Sequence, residues 1–250
     1  MSRQMLNEQT FTGANVQAVA VPGRPDLRTD VMTVRGVVSR SFVLLVLTVA
    51  SATFGWQSAD DLGDGIGVVM VVGLIGLLIL SFITAAKPKL AVVTGPLYAV
   101  IMGAWAGVIS KWYEDFENGI VLQAVFATLS VFLACLVLYV TRIVKVTDRF
   151  RFIVGVATGG ILLMYVAAIV LGLFGVELPF LNSASPLGIL LSVAICIVAA
   201  LNLFLDFRFI EEGAAKQAPT YMAWYAAFGL LATLIWLYLE MLRLLSKIRQ

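Results

Sequence analysis

Two carboxylates interrupt long apolar stretches in the last fifth of the chain. Asp206 lies in the segment LNLFLDFRF, and Glu240 lies in LYLEMLRLL. A charged side chain at the centre of a membrane helix costs about 2.5–3.5 kcal/mol on insertion scales, so such residues usually have a function and face the interior of a bundle. Carboxylate oxygens bind protons and hard cations such as calcium. The two acids are therefore the first candidates for an ion- or proton-binding pair.

The helical face that would carry Asp206 is small and partly polar. A residue on a helix shares a face with the residues three and four positions before it. Before Asp206 this face carries Asn202, Ala199, Cys196 and Ser192, and before Glu240 it carries Trp236, Thr233 and Gly229. Such faces suit contact between membrane helices. Asn202 is thus a candidate supporting residue.

Purely structural roles for the same residues stay open. Glu240 and Arg243 are three positions apart, a spacing at which opposite charges on a helix form a local ion pair. Asp206 is the twentieth residue after Pro186, which would place it at headgroup depth if the helix began there. Arg40 is either a buried counter-ion or an arginine that extends to the membrane surface.

The composition places these residues in a membrane protein. Of 250 residues, 61% are hydrophobic and only 13% are charged, whereas about a quarter of the residues in soluble domains are charged. The net charge of +2, without a basic stripe interleaved with aromatic residues, argues against nucleic-acid binding. The chain has no histidine, so any proton sensing must use carboxylates, whose protonated form is favoured by burial and by a like-charged neighbour.

Seven apolar runs predict seven membrane-spanning helices, because each approaches or exceeds the roughly 20 residues that a span needs. The runs are Gly36–Trp56, Gly65–Ala85, Leu90–Ile109, Ile120–Thr141, Phe152–Phe174, Pro186–Phe207 and Met222–Leu245. The predicted fold is an all-α integral membrane bundle formed by residues 36–250, preceded by a flexible cytoplasmic tail formed by residues 1–35. Small residues in the third run, such as Gly103 and Gly107, predict close helix packing.

Charged residues between the runs predict the orientation of the bundle, because Lys and Arg accumulate in cytoplasmic loops. The tail and every second link contain Arg3, Arg24, Arg28, Arg35, Arg40, Lys87, Lys89, Arg142, Lys145, Arg149, Arg151, Arg208 and Lys216. The opposite links contain Lys111 beside seven acids. A cytoplasmic N-terminus is expected, with the C-terminus outside after seven crossings. Because Arg243, Lys247 and Arg249 lie near the end, a re-entrant last run is the alternative.

Five stretches of the sequence carry a resemblance to a known family. They are MTVRGVVSRS, PKLAVVTGPLYAV, GIVLQAVFAT, PLGILLSVAICIVAALNLFLDFRFIEEG and APTYMAWYAAFGLLATLIWLYLEMLRLLSKIR. On these stretches, residues 32–249 resemble the transmembrane Bax-inhibitor-motif family, most closely its bacterial branch. The match is most specific in the last third of the chain.

The resemblance implies a seven-helix bundle with the seventh helix at its centre, in the inner membrane of a bacterium. It also implies a calcium leak that is gated by protons on a carboxylate pair. By motif position that pair would be Asp206 and Glu240, which are 34 residues apart, with Glu240 where the family usually has Asp. Calcium would be the bound or transported ion, without an organic cofactor. Lys87 and Lys89 stand at the link where the family often has an arginine that can pair with the acids.

Two functions other than a calcium channel are alternatives for a membrane protein with two acids. Intramembrane aspartyl proteases also use two acids, but they need two aspartates, one of them in a Gly-x-Gly-Asp segment, so an enzyme is not expected. The resemblance also implies a regulator of stress responses that acts by binding a membrane protease or another membrane protein. Ion flux in liposomes distinguishes this alternative from a channel.

Overall fold

The structure is a computed structural model that describes residues 31–175 and 184–249. Most of the predicted tail, residues 1–30, lies outside the described residues, and so do 176–183. The seven helices are α1 Val34–Ser58, α2 Ile66–Ala86, α3 Ala91–Phe116, α4 Ile120–Val140, α5 Asp148–Leu173, α6 Pro186–Ala215 and α7 Tyr221–Arg249. Each is long and apolar enough to cross a membrane. Within the described ranges, the predicted all-α bundle of seven membrane helices is confirmed.

Polar residues outside the apolar runs set several helix ends. The hydroxyls of Thr33, Thr147 and Ser185 accept hydrogen bonds from the third residue after each of them, and so cap α1, α5 and α6. Two helices extend well past the predicted apolar runs. In α3 the extension carries Lys111 and Asp115, which pair at 2.5 Å, and in α6 it carries an Arg208–Glu212 pair at 2.5 Å. Charged pairs one turn apart favour further helix where the chain is no longer apolar.

Small residues hold α1 and α3 close together, as the third run predicted. Gly107 faces the backbone of Ala52, and a Cβ atom at position 107 would overlap the Ala52 carbonyl oxygen. Gly103 faces the Thr48 carbonyl in the same way. Only glycine allows this approach, because any side chain would push the two backbones apart.

The last helix lies at the centre of the bundle. α7 packs against α1, α3, α4 and α6, and Ala223, Ala227 and Leu237 on it are fully buried. Polar contacts accompany the apolar ones, such as the 2.7 Å hydrogen bond between Ser110 on α3 and Tyr238 on α7. The central place that the family resemblance implied for the seventh helix is therefore observed.

The two ends of α7 lie at opposite ends of the bundle. Just before α7, the Ala218 carbonyl accepts a 2.6 Å hydrogen bond from the Met32 amide, which precedes α1. At its other end, Arg249 donates to the Asn118 carbonyl in the α3–α4 link at 3.2 Å. α7 thus crosses the bundle once, and the re-entrant alternative is not the observed arrangement. We call the end with Met32 and Ala218 the basic end and the end with Asn118 the acidic end.

Candidate functional site

Asp206 lies in α6, which begins at Pro186 and continues nine residues beyond the acid to Ala215, about 13 Å at the helical rise of 1.5 Å per residue. Because the helix does begin at Pro186, the expectation that Asp206 lies at headgroup depth stays a prediction. The Asp206 carboxylate faces α7, where its Oδ1 lies 3.7 Å from the position that a Cβ atom on Gly229 would occupy. This distance is an ordinary van der Waals separation, so the acid lies directly against the central helix.

The Asp206 carboxylate is poorly satisfied by its surroundings. Thr233, one turn beyond Gly229, is its side-chain hydrogen-bond partner. The second oxygen, Oδ2, is buried and has no hydrogen-bond partner, although the residue as a whole keeps some exposed surface. No ion pair to Asp206 is present among the described residues, because the nearby Arg208 pairs with Glu212 instead. A buried polar atom without a partner costs about 1–3 kcal/mol, so Asp206 is an acid that can accept a proton or a cation.

Glu240 lies in the opposite situation, since it is buried and fully partnered. Its side chain is 3% exposed. Arg243 Nη1 lies 3.1 Å from both carboxylate oxygens. Oε1 also accepts a 2.6 Å hydrogen bond from the Tyr165 hydroxyl on α5 and a 3.3 Å one from Trp236 Nε1. The predicted local ion pair with Arg243 is confirmed, and it is one part of a larger network.

Arg243 and Tyr165 close this network between α5 and α7. Arg243 Nη1 donates to the Tyr165 hydroxyl, and its guanidinium carbon lies 5.0 Å from the centre of the Tyr165 ring. Tyr113 on α3 is a further hydrogen-bond neighbour of Arg243. The ring face and the two oxygens surround the guanidinium with negative potential, which lowers the cost of keeping it in the bundle.

A buried lysine extends the network to α6. Lys247 is 4% exposed, and its Nζ donates to the Gly188 carbonyl at 3.1 Å and to Ser192 Oγ at 2.8 Å. Lys247 is two turns beyond Glu240 on the same helix. We call Glu240, Arg243, Lys247 and Tyr165 the acidic-end cluster. It contains two cations and one anion, so its formal charge is +1 when all three ionisable groups are charged.

The structure does not bring Asp206 and Glu240 together. Asp206 faces Gly229 and Thr233, and Glu240 is seven to eleven residues further along α7, about 10–16 Å at the helical rise. α6 and α7 run antiparallel and are joined by a short link. A residue 34 positions after Asp206 therefore lies on α7 beyond the point that is opposite Asp206. The expected shared carboxylate pair is replaced by two separate sites. Whether either acid binds ions or protons stays a prediction.

The candidate supporting residues serve other contacts. Asn202 donates to Thr158 on α5 at 2.7 Å and to the Val198 carbonyl at 2.9 Å, so it joins α6 to α5. Lys87 and Lys89 are exposed in the α2–α3 link, and neither forms an ion pair within the described residues. Arg40 lies over the Trp224 ring at 5.5 Å, and it pairs with no carboxylate in the described part of the chain. None of these four side chains forms an ion pair with Asp206 among the described contacts.

Sequence patterns missed two members of the acidic-end cluster. Tyr165 lies within an apolar run, and Lys247 was counted with the terminal charges. Tyr113, the α3 neighbour of Arg243, was not singled out either. The spacing of Glu240, Arg243 and Lys247 at i, i+3 and i+7 was a usable signal, because it puts all three on one helical face.

No group of three or more histidine, cysteine or acidic side chains that could hold a metal ion is found within 31–175 and 184–249. Cys135 and Cys196 are buried free thiols. A calcium ion at Asp206 would therefore be held by one carboxylate, neighbouring carbonyl or hydroxyl oxygens and water, which suits a passing ion better than a tightly bound one.

The described helices and the two buried acids define a seven-helix integral membrane protein with ionisable groups in its interior. The sequence model of the family described as Bax inhibitor 1 like matches residues 2–250. The match covers nearly the whole chain, so the protein belongs to the Bax inhibitor 1-like family. A search of curated proteins found no match to this chain.

Proposed function

We propose that this protein is a pH-sensitive, calcium-permeable leak channel that is gated by protonation of its buried carboxylates. The observation that carries the proposal is the buried Asp206 Oδ2, which lacks a hydrogen-bond partner. An ionisable group inside a membrane bundle marks an ion or proton pathway by default. Membership of the Bax inhibitor 1-like family fits this function.

Asp206 acts as the ion-contacting group of the pathway. When it is ionised, its oxygens attract calcium, which prefers hard carboxylate ligands. When it is protonated, that charge is lost and the calcium affinity falls. Protons and calcium therefore compete for the same oxygens.

The acidic-end cluster opposes the passage of cations between Asp206 and the acidic end. Its two cations and single anion present a net positive charge to a cation that moves between α5, α6 and α7. Protonation of Glu240 would remove the carboxylate charge that holds Arg243 at 3.1 Å. Arg243 would then be free to move toward the acidic end, where its side chain already keeps 33% of its surface exposed. Asp206 thus senses protons directly, whereas Glu240 affects the pathway through the position of Arg243.

Calcium flux in proteoliposomes tests the role of Asp206. Asp206→Asn keeps the size of the side chain and removes its charge, so the variant should lose most of the pH response of the flux. Asp148→Asn is the matched control, because Asp148 is 92% exposed at the basic end. If wild-type protein carries no calcium flux at any pH, the channel is excluded and the partner-binding regulator becomes the better hypothesis.

Calcium affinity across the acid-to-neutral range tests the competition directly. Because a proton and calcium exclude each other on Asp206, the affinity should fall as the pH falls. Calcium binding measured calorimetrically on purified protein should show this slope, and Asp206→Asn should flatten it. A wild-type affinity that is constant over this range would contradict the carboxylate mechanism.

We also propose that the protein lies in a bacterial inner membrane with its basic end in the cytoplasm. Arg142, Arg208 and Lys216 lie at that end, as expected for cytoplasmic loops. Reporter fusions at residues 1 and 250 should place the N-terminus in the cytoplasm and the C-terminus outside. The reverse result would invert the direction of the proposed pathway.

A further inference from the structure

A cavity opens at the basic end between the start of α1 and the start of α7. Its volume is about 460 Å³, and its lining includes Arg35, Ser39, Arg40 and Trp224. The lining thus combines two guanidinium groups, a hydroxyl and an indole ring. This cavity is separate from Asp206 and from the acidic-end cluster, and neither the channel proposal nor the family membership assigns it a role.

Arg40 is held at one side of the cavity with part of its hydrogen-bonding capacity unused. Its Nη1 donates to the Gly36 carbonyl at 3.0 Å, and its guanidinium lies over the Trp224 ring at 5.5 Å. These contacts fix the orientation of the guanidinium plane. Its Nε is buried and has no hydrogen-bond partner. Arg40 lines the cavity with its guanidinium already positioned, which suits an oxygen-rich anion.

No carboxylate within residues 31–175 and 184–249 balances the charge of the cavity. Arg35 is exposed on the neighbouring turn of α1. Neither Arg35 nor Arg40 forms an ion pair with a carboxylate in the described ranges. Elsewhere at the basic end the arginines do find acids, as Arg142 does with Glu211 and Arg208 with Glu212. The cavity is therefore a place where a negative charge from outside the protein would be stabilised.

The depth of the cavity fits the headgroup layer of a membrane. Arg40 is six residues after Val34, the first residue of α1, about 9 Å along the helix. Trp224 is three residues after the start of α7, and tryptophan prefers the membrane–water boundary. Val38 and Phe42 on the same part of α1 are exposed, as expected for side chains that face acyl chains. A ligand here would have its polar group in the cavity and its apolar part against α1.

We propose that this cavity binds the phosphate group of an anionic phospholipid. Phosphate oxygens match the forked donors of arginine, and basic pockets at the ends of membrane helices bind such headgroups. The phosphate accepts hydrogen bonds from Arg40 and Arg35, and the acyl chains lie along the exposed apolar face of α1. Because Arg40 also contacts Trp224, the bound lipid ties α1 to the central helix. The inference is independent of the channel function.

Thermal unfolding of the purified full-length chain in detergent tests this site. Short-chain phosphatidylglycerol should raise the Tm in a concentration-dependent manner, because a ligand that binds the folded state stabilises it. Short-chain phosphatidylcholine, which has no net charge, should raise the Tm much less. Inorganic phosphate tests the other source of the same chemistry, and a Tm increase equal to that with phosphatidylglycerol would overturn the lipid assignment.

Three arginine variants locate the binding. Arg40→Gln and Arg35→Gln should each weaken the apparent affinity for phosphatidylglycerol about tenfold, the effect of losing one charge-assisted hydrogen bond. Arg149→Gln is the control, because Arg149 is exposed at the same end and lies outside the cavity. Arg35 is also exposed, so its variant reports on binding even if Arg40→Gln fails to fold. Wild-type affinity in Arg35→Gln, or an equal loss in Arg149→Gln, would overturn the proposal.

Discussion

The two buried acids of this protein differ in the hydrogen-bond and ion-pair partners that surround each carboxylate. Glu240 accepts hydrogen bonds from Arg243, Tyr165 and Trp236. Asp206 has Thr233 as its side-chain hydrogen-bond partner and a second oxygen with none. Both lie on or against α7, in the same bundle. A carboxylate with its own cation can hold a structure together, whereas one without a cation can respond to ions and protons.

This contrast shows that an acid in a membrane helix cannot be given a role from its position alone. Glu240 is the acid with the more apolar sequence surroundings, yet it has the more complete set of partners. Asp206 is flanked by Arg208 two residues later, yet that arginine pairs with Glu212. Neighbouring helices supply the hydrogen-bond and ion-pair partners of each acid. These partners distinguish a structural carboxylate from a reactive one.

Removal of the cation from the acidic-end cluster should give the largest loss of stability. Arg243→Gln leaves the Glu240 side chain, which is 3% exposed, without its counter-charge. Breaking a buried ion pair in this way costs about 3–5 kcal/mol. Unfolding by SDS in mixed micelles measures the change. Arg149→Gln should stay within about 0.5 kcal/mol of the wild type, and an equally small change in Arg243→Gln would show that the pair does not stabilise the fold.

Neutralising the two acids should have different effects on stability. Glu240→Gln should lower the free energy of unfolding by about 1–3 kcal/mol, because Arg243 loses its carboxylate. Asp206→Asn should leave stability unchanged or raise it, because the variant removes a buried charge that has no counter-ion. The same SDS titration compares them. A greater loss in Asp206→Asn would reverse the assignment of the two acids.

A smaller effect is expected from the hydroxyl that joins α5 to the cluster. Tyr165→Phe keeps the ring over Arg243 and removes the 2.6 Å hydrogen bond to Glu240. The expected loss is about 0.5–1.5 kcal/mol. Tyr221→Phe, at the start of α7 and away from the cluster, is the control for a tyrosine change. Equal effects of the two changes would mean that the hydroxyl contributes nothing specific.

The smallest expected quantity is the coupling between the two acids. They are about 10–16 Å apart along α7 and share no partner, so the stability changes of Asp206→Asn and Glu240→Gln should add within about 0.5 kcal/mol. A double-mutant cycle measures the coupling. A coupling energy above about 1 kcal/mol would show that the acids meet in a conformation other than this one, as the shared-pair hypothesis requires.

Sequence reasoning predicted much of this molecule and missed particular parts of it. The Gly103 and Gly107 contacts with α1 follow from small residues in an apolar run, and the Glu240–Arg243 pair follows from spacing on one helix. The length of α6 did not follow, because the helix continues through charged residues to Ala215. Charged pairs one turn apart extend a helix past the point where hydropathy declines.

Hydrophobic runs and local spacing were enough to establish seven membrane helices, because a chain in lipid must satisfy its backbone hydrogen bonds within each helix. They also identified Asp206 and Glu240 as the candidate site residues. Only the tertiary structure decided that these acids occupy separate sites. The reason is that Tyr165 reaches Glu240 from α5 and Asp206 on α6 lies against Gly229 of α7. The relative depth and rotation of packed helices depend on such contacts between residues far apart in the chain.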